Sequence, residues 1–525
     1  MAFDLEKIEH IVVLMLENRS FDNMLGWLYD PANPPPYDKP PRGQSFEGVS
    51  GKPLSNPIPS YARDAARGSV PVGKAKRITN PNPDPGEEYF HVNTQFFGTV
   101  IPEANRREPF NHKPYNLPSP LPDPAPMNGF VTDFINTFPM WRHREPEYAE
   151  YQVIMDCFTP QDVPVISALA HHYAVCDHYH ASAPSQTFCN RAFVHSAASN
   201  GLVVNAPYPN WLFHHAPTIF NRIEDAQRPD LTWKVYYDEL NLVSITWLLQ
   251  PALRPYRRTR FFHMDEFFRD ARGGTLPSYA FIEPRLVVNH NDQHPPVDDF
   301  LFTHAELAGE QLLYDVYRAL RHGKHWERTL FILTYDEHGG CYDHVPPPRA
   351  VPPEPHQPEG QYNFKFDRLG VRLPVVLMAP YIEPGAIVHT LFDHTSILKT
   401  VCRRWNLPPL TERDKAAADL SAVFTLDTPR DDDPAITPRV VQRTPRPADE
   451  PLNDFQKGLL AIVTGITALN RVDENQHLID KVAQVGRLVQ DEYQAHRLHN
   501  IGQAWQFMKD RLDFTFQYEG GEDQS

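Results

Sequence analysis

Two mostly apolar, β-rich runs, Ile8 to Leu16 (IEHIVVLML) and Thr329 to Tyr335 (TLFILTY), constrain this chain more than any other feature. Strands without polar alternation belong in the middle of a sheet that is covered on both faces, as in α/β proteins. Each run stops abruptly on two adjacent oxygen-bearing side chains, Glu17-Asn18 and Asp336-Glu337. Further strands are expected at 173–179, 232–237, 278–282 and 374–379. Helical patterns fall at 163–172, 191–199, 305–321 and 395–405. Strands alternating with helices predict a mostly parallel central sheet in a three-layer αβα sandwich.

The remaining chain divides by composition. Proline is abundant, 54 of 525 residues, about twice the ~5% average share. Residues 30–126 carry Pro, Asn, Gly and charges with little periodicity, and read as long covering loops. Residues 427–450, rich in Pro, Asp and Arg, read as a linker between a large α/β domain (1–426) and a C-terminal helical region (451–525).

Charge and cysteine usage exclude several function classes. The formal net charge of -16 argues against sequence-independent nucleic-acid binding, which needs cations to neutralise phosphates. It also gives no support for electrostatic capture by anionic lipid, so any peripheral membrane contact would be apolar and local. Five scattered cysteines without a CxxC pair predict neither a zinc site nor a disulfide framework. The apolar run near the N-terminus is too short for a leader or a membrane span. A chain starting natively at Met1 would be cytoplasmic, and one shorn of a leader would be secreted or periplasmic. Oligomeric state is not legible.

In open α/β sheets, sites form beyond the carboxyl ends of strands. Glu17, Asn18, Asp336 and Glu337 therefore offer four hard oxygen ligands that can converge on one cation. A solvated strand end explains either pair alone, but serves poorly for two pairs in equivalent places. The segment Ser185-Gln-Thr187-Phe-Cys-Asn190-Arg191 places a hydroxyl at a helix start, where unpaired N–H groups favour an oxyanion. Thr187, as an additional metal ligand, would be an activated nucleophile, although an ordinary N-cap is the plainer reading of that threonine alone. Asn190 is a candidate donor to phosphate. Among 25 histidines, His294 in Asn289-His-Asn-Asp-Gln-His294-Pro-Pro, His344 and His394 are candidates for binding phosphate or protonating a leaving alkoxide.

At these residues the chain resembles the phosphoesterase family of bacterial and plant non-specific phospholipases C and a bacterial acid phosphatase, within the alkaline-phosphatase-like superfamily. The matching stretches are Glu17 to Trp27, Pro184 to Asn200, Asn291 to Pro296, Thr334 to His344, Arg368 to Pro374 and the surroundings of His394. The resemblance implies one divalent metal (Ca, Mg, Mn or Zn) held by Glu17, Asn18, Thr187, Asp336 and Glu337. Thr187 would be the nucleophile, and Asn18 and His294 would contact phosphate. The implied reaction is phosphoester hydrolysis through a phosphothreonine, with a phospholipid or other phosphate ester as substrate. The chain departs from the family pattern at Cys189, where proline is usual. The sulfatase pattern Cys-x-Pro-x-Arg is absent. Phospholipase C is the first reading, an acid-phosphatase-type phosphomonoesterase the second, and a non-catalytic binding protein on a hydrolase fold the third.

Overall fold

The computed structural model describes residues 4–241, 243–286, 290–296, 305–354, 359–439 and 460–465, with Gln503 and Phe507. Its main sheet has eight strands: β1 (His10–Leu16), β2 (Ala174–Cys176), β3 (Trp233–Tyr237), β4 (Phe261–His263), β5 (Tyr279–Ile282), β6 (Thr329–Tyr335), β7 (Val375–Met378) and β8 (Ala386–Val388). Their spatial order is β8-β2-β7-β6-β1-β5-β3-β4. All run one way except β7, which is antiparallel to both of its neighbours.

The principal helices are α1 (Phe21–Leu25), α2 (Tyr89–Phe97), α3 (Phe130–Arg142), α4 (Pro164–His172), α5 (Thr187–Ser196), α6 (Ile219–Asp225), α7 (Met264–Gly273), α8 (Ala305–Arg321) and α9 (His394–Trp405). Successive side chains of a strand point to opposite faces, and β1 shows what covers each. Ile11, Val13 and Met15 enter one core with α5, α6 and α9, whereas Val12, Leu14 and Leu16 enter another with α4, α7 and α8. This is the three-layer sandwich that the pattern predicts. Burying each such Val, Leu or Ile contributes roughly 1.5–3 kcal/mol, which is why both central strands are mostly apolar until they end.

The register then positions the chemistry. β1 and β6 are parallel neighbours with Leu16 opposite Tyr335, so Glu17 and Asp336 leave the sheet side by side. Alternation puts both on the face that α5 covers. The expected strands and helices are present, each within a few residues of its predicted bounds. Strand pairing at β4 and β8 goes beyond the sequence reading, as does the helical structure of α3, α6 and α7.

One expectation needs correction. Residues 30–126 are not only loops: α2 forms within them, and it packs with α3 into a third core containing Val92, Phe96, Phe130, Phe134, Ile135 and Phe138. The apolar residues of α2 are completed by a helix beyond the proline-rich stretch, which is why that stretch alone reads as coreless. The first part of the expected linker, 427–439, is irregular, and Asp433 there pairs with Arg318 at 2.7 Å. Most of the expected helical region at 451–525 lies outside the described residues. Within it 460–465 is helical, with Leu460, Ile462 and Val463 buried.

Candidate active site

The strand ends are tied together by backbone bonds. Asp336 N donates to Leu16 O (3.1 Å), Arg19 N to Glu337 O (3.1 Å) and Glu17 N to Asp292 O (2.8 Å). Asn18 sits at φ +58°, a left-handed conformation that asparagine tolerates better than most residues. The returning chain passes so close that a Cβ on Gly339 would lie 2.3 Å from the Asn18 carbonyl oxygen, and Gly339 itself has φ +58°. Only glycine fits there.

The third segment arrives from the covering layer. α5 begins at Thr187 with Gln186 as its N-cap, so Thr187 is the first helical residue rather than the cap. Burial pushes the Asp336 carboxyl above its usual range, and the Thr187 hydroxyl beside it, with Arg191, offsets part of that rise. One turn on, the buried Arg191 reaches Glu17 (Nη2 to Oε1, 2.8 Å) and Asp336 (Nε to Oδ2, 3.4 Å). Three remote stretches therefore meet, as required of a single centre.

The charges at this meeting do not balance. Burial, with Asp336 as a close neighbour, pushes Glu17 well above the usual carboxylate range against the pull of Arg191. Burial and Asp336 push Glu337 up likewise. Glu87, unrecognised from sequence, is driven up by burial and by Glu337; it accepts a hydrogen bond from the Asn18 amide. Carboxylates crowded out of water in this way call for a cation.

The fit to a metal can be tested atom by atom. Glu17 Oε2, Asn18 Oδ1, Asp336 Oδ2 and Glu337 Oε1 are each buried without a hydrogen-bond partner among the described residues. Buried acceptors are ordinarily paired, so four orphans, one from each expected ligand, fit a hard cation with oxygen donors. The more closely spaced His and carboxylate groups, with one ligand atom of each residue within 4.8 Å of the others, lie elsewhere: Asp22-Asp343-His344 and Asp177-His178-His389.

The other predicted site residues divide. His294 is at the centre: its Nε2 meets Asn18 Nδ2 at 3.1 Å while its Nδ1 meets Pro295 O at 2.8 Å. Burial lowers its pKa to about 4, so it is neutral at pH 7. Nδ1 facing a carbonyl must carry the proton, which leaves Nε2 as an acceptor. His294 also lines a cleft of about 30 Å³ with Glu87, Glu88, Met140, Trp141 and Gln186.

His394 touches the centre from behind, through Asp336 O (2.7 Å) and the Tyr179 hydroxyl (3.3 Å). Both ring nitrogens are engaged, so it positions Asp336 rather than meeting phosphate. His344 joins a neighbouring cluster, bonded to Asp22 (2.6 Å) and Glu47 (3.0 Å), which corrects its placement on the phosphate. Asn190 is a further correction. Its Nδ2 donates to the carbonyls of Ala183 (3.2 Å), Ser185 (2.7 Å) and Gln186 (3.3 Å), and its Oδ1 accepts from Ala183 N (3.0 Å). A side chain so fully used has nothing left for substrate; it shapes the loop that delivers Thr187.

Asn190→Ala is accordingly expected to destabilise the fold by about 1–3 kcal/mol, the cost of unpairing buried backbone groups. A phosphate donor would instead change KM and kcat while the unfolding midpoint stayed put. Thermal unfolding beside steady-state kinetics distinguishes the two. At the position where proline was expected, Cys189 is buried and its thiol is pushed up to about 12 by desolvation, so it is inert.

A sequence model described as "Phosphoesterase family" matches residues 8–408. Non-specific phospholipase C3 of Arabidopsis thaliana is 36% identical over 478 residues, covering 86% of this chain and 81% of that one. Phospholipase C B of Mycobacterium tuberculosis is 28% identical over 466 residues, covering 81% of this chain and 79% of its own. Among solved structures, an alkaline phosphatase superfamily protein from Vibrio parahaemolyticus aligns at TM-score 0.31 and 10% identity, covering 64% of this chain and 82% of that one. That distance is too great to carry an argument about this chain.

Proposed function

Because the chain belongs to the phosphoesterase family, we propose that it is a metal-dependent phospholipase C that uses Thr187 as its nucleophile. The observation that carries this reading is the arrival of a helix-opening hydroxyl at two strand ends whose four orphaned oxygens await a cation. Glu17, Asn18, Asp336 and Glu337 would hold one divalent ion, joined by Thr187. Such an ion supplies charge stabilisation to phosphate oxygens and lowers the pKa of a hydroxyl beside it. Oxygen donors suit Ca, Mg or Mn, and zinc also accepts them.

The chain's own groups do the rest. Thr187 Oγ1 bonds to phosphorus as the bond to the diacylglycerol oxygen breaks. The threonine gives up its proton as it attacks, and the departing oxygen, on the opposite side of phosphorus, takes one from water, while His294 beside Asn18 contacts the phosphate. Water then displaces Thr187 from phosphorus, losing one proton as the threonine oxygen regains one. The N-terminal end of α5 and the Arg191 guanidinium stabilise negative charge throughout. The acidic side chains Asp84, Glu87 and Glu88 beside His294 repel a bare, doubly charged phosphate more than a singly charged diester. They favour the diester reading over the phosphomonoesterase one.

The test compares p-nitrophenylphosphorylcholine with p-nitrophenyl phosphate, and follows diacylglycerol release from phosphatidylcholine vesicles. Turnover of the diester is expected to exceed that of the monoester, to vanish on chelation and to return with a divalent ion. Preference for the monoester would transfer the chain to the acid-phosphatase reading. Absence of hydrolysis with every metal would leave the non-catalytic one.

A further inference from the structure

A second group of ligating side chains lies at the sheet edge. β2 and its outer neighbour β8 run parallel with Val388 opposite Cys176, so the residues after both strands emerge together. Asp177 N donates to Val388 O at 3.2 Å, placing Asp177-His178 beside His389. The two imidazoles turn the same nitrogen to the same oxygen: each Nδ1 lies 2.9 Å from Asp177 Oδ1. The carboxylate is fully buried, whereas the His178 and His389 side chains are 34% and 46% exposed.

The surroundings resemble those of a built metal centre. His389 Nε2 meets Ser45 Oγ at 3.2 Å, and Asp177 Oδ2 accepts from Glu47 N at 3.0 Å. Partners on the far nitrogen and the far oxygen fix ligand orientation in metalloproteins. The adjacent Asp22-Asp343-His344 group already has its cation in Arg372, 2.9 Å from each aspartate. Arg372 approaches Asp177 only through the backbone carbonyl, at 2.8 Å. Among the described residues the Asp177 carboxylate is met by the two imidazoles and a backbone N–H, with no guanidinium or ammonium upon it.

We propose that Asp177, His178 and His389 form a binding site for a borderline divalent transition cation of the zinc type, separate from the catalytic centre and open to solvent at one position. Two imidazoles and one carboxylate are a donor set that zinc accepts and that calcium and magnesium do not select. Tetrahedral coordination requires donors about 3.3 Å apart, a small opening from the distances present. Bound there, the ion fastens the covering segment around Ser45-Phe-Glu47 to the sheet edge.

The full chain, stripped of metal, is titrated with zinc chloride by equilibrium dialysis as wild type, His178→Ala/His389→Ala, His389→Cys and Glu17→Gln/Asp336→Asn. The histidine double variant is expected to bind one equivalent fewer than wild type while hydrolysing the phosphodiester undiminished. His389→Cys keeps that equivalent, because a thiolate replaces the imidazole. Glu17→Gln/Asp336→Asn keeps it as well while losing hydrolysis, so failure of the catalytic reading shows in a different arm. Zinc stoichiometry and affinity in the histidine double variant within threefold of wild type would overturn the proposal, as would lost hydrolysis without lost zinc.

Discussion

Replacing Thr187 with alanine is expected to cut phosphodiester turnover by ~10³-fold or more, the scale on which catalytic nucleophiles fail when removed. Bound metal and the unfolding midpoint should stay close to wild type. The physical grounds are local. Thr187 is buried, but its hydroxyl is not the helix cap, since Gln186 holds that position, so alanine leaves α5 intact. Four of the five oxygen ligands survive, and their orphaned atoms still require a cation. Thr187→Ser keeps a hydroxyl in place and should retain part of the activity. Acid-quenched reactions with labelled substrate should trap phosphate on residue 187 in wild type and none in the alanine variant. Undiminished turnover in Thr187→Ala would remove the nucleophile from the scheme, and metal loss equal to activity loss would reassign the hydroxyl as chiefly a ligand.

The centre is legible in the sequence where physics leaves little choice. β1 and β6 are buried on both faces, so each is a mostly apolar run, and the first pair of acid or amide side chains after such a run marks where the sheet ends. Parallel register then makes Glu17 and Asp336 neighbours despite the 318 residues between them. What escapes is whatever depends on a side chain's partners. Asn190 has the chemistry of a phosphate donor, and only the four bonds it makes to the 183–186 loop show that it is committed. His344 and His394 are likewise imidazoles near the right motifs, one bound into a charge cluster and the other against the Asp336 carbonyl. Arg191 and Glu87 were missed for opposite reasons. Arg191 sits one helical turn after Thr187, a spacing that could have placed it on the face of the nucleophile. Glu87 comes from a proline-rich stretch without periodicity, where nothing local says which carboxylate turns inward. The short strands β4 and β8 carry too few residues for any period to show.

Arg372 should prove the most costly single charge to remove outside the active centre. It is fully buried, as are its partners Asp22 and Asp343, each 2.9 Å away. It also donates to the carbonyls of Glu47 (2.9 Å) and Asp177 (2.8 Å) and lies over the Phe21 ring at 4.5 Å. One guanidinium therefore joins α1, the loop after Asp336-Glu337, the covering segment and the sheet edge. Against burial, Arg372 and His344 together hold Asp22 below its ordinary range, whereas burial and the neighbouring Asp22 charge push Asp343 up to about 6. Arg372→Met preserves most of the bulk but leaves two carboxylates buried without their counter-ion, a loss of about 3–5 kcal/mol. The sign of the pH dependence follows. Asp22 contributes stability above its unfolded pKa of ~3.9 and loses it as pH falls through its lower folded value. Without the arginine both carboxylates favour protonation, so the deficit of the variant is greatest at pH 8 and shrinks toward pH 5. Denaturant midpoints of wild type and Arg372→Met at both pH values measure this directly. Arg372→Lys keeps the charge but not the fork, and should fall between them. Adding Asp343→Asn to Arg372→Met should recover part of the loss by withdrawing one stranded charge. A wild-type midpoint in Arg372→Met at pH 8 would show that the cluster is held by something other than this ion-pair network.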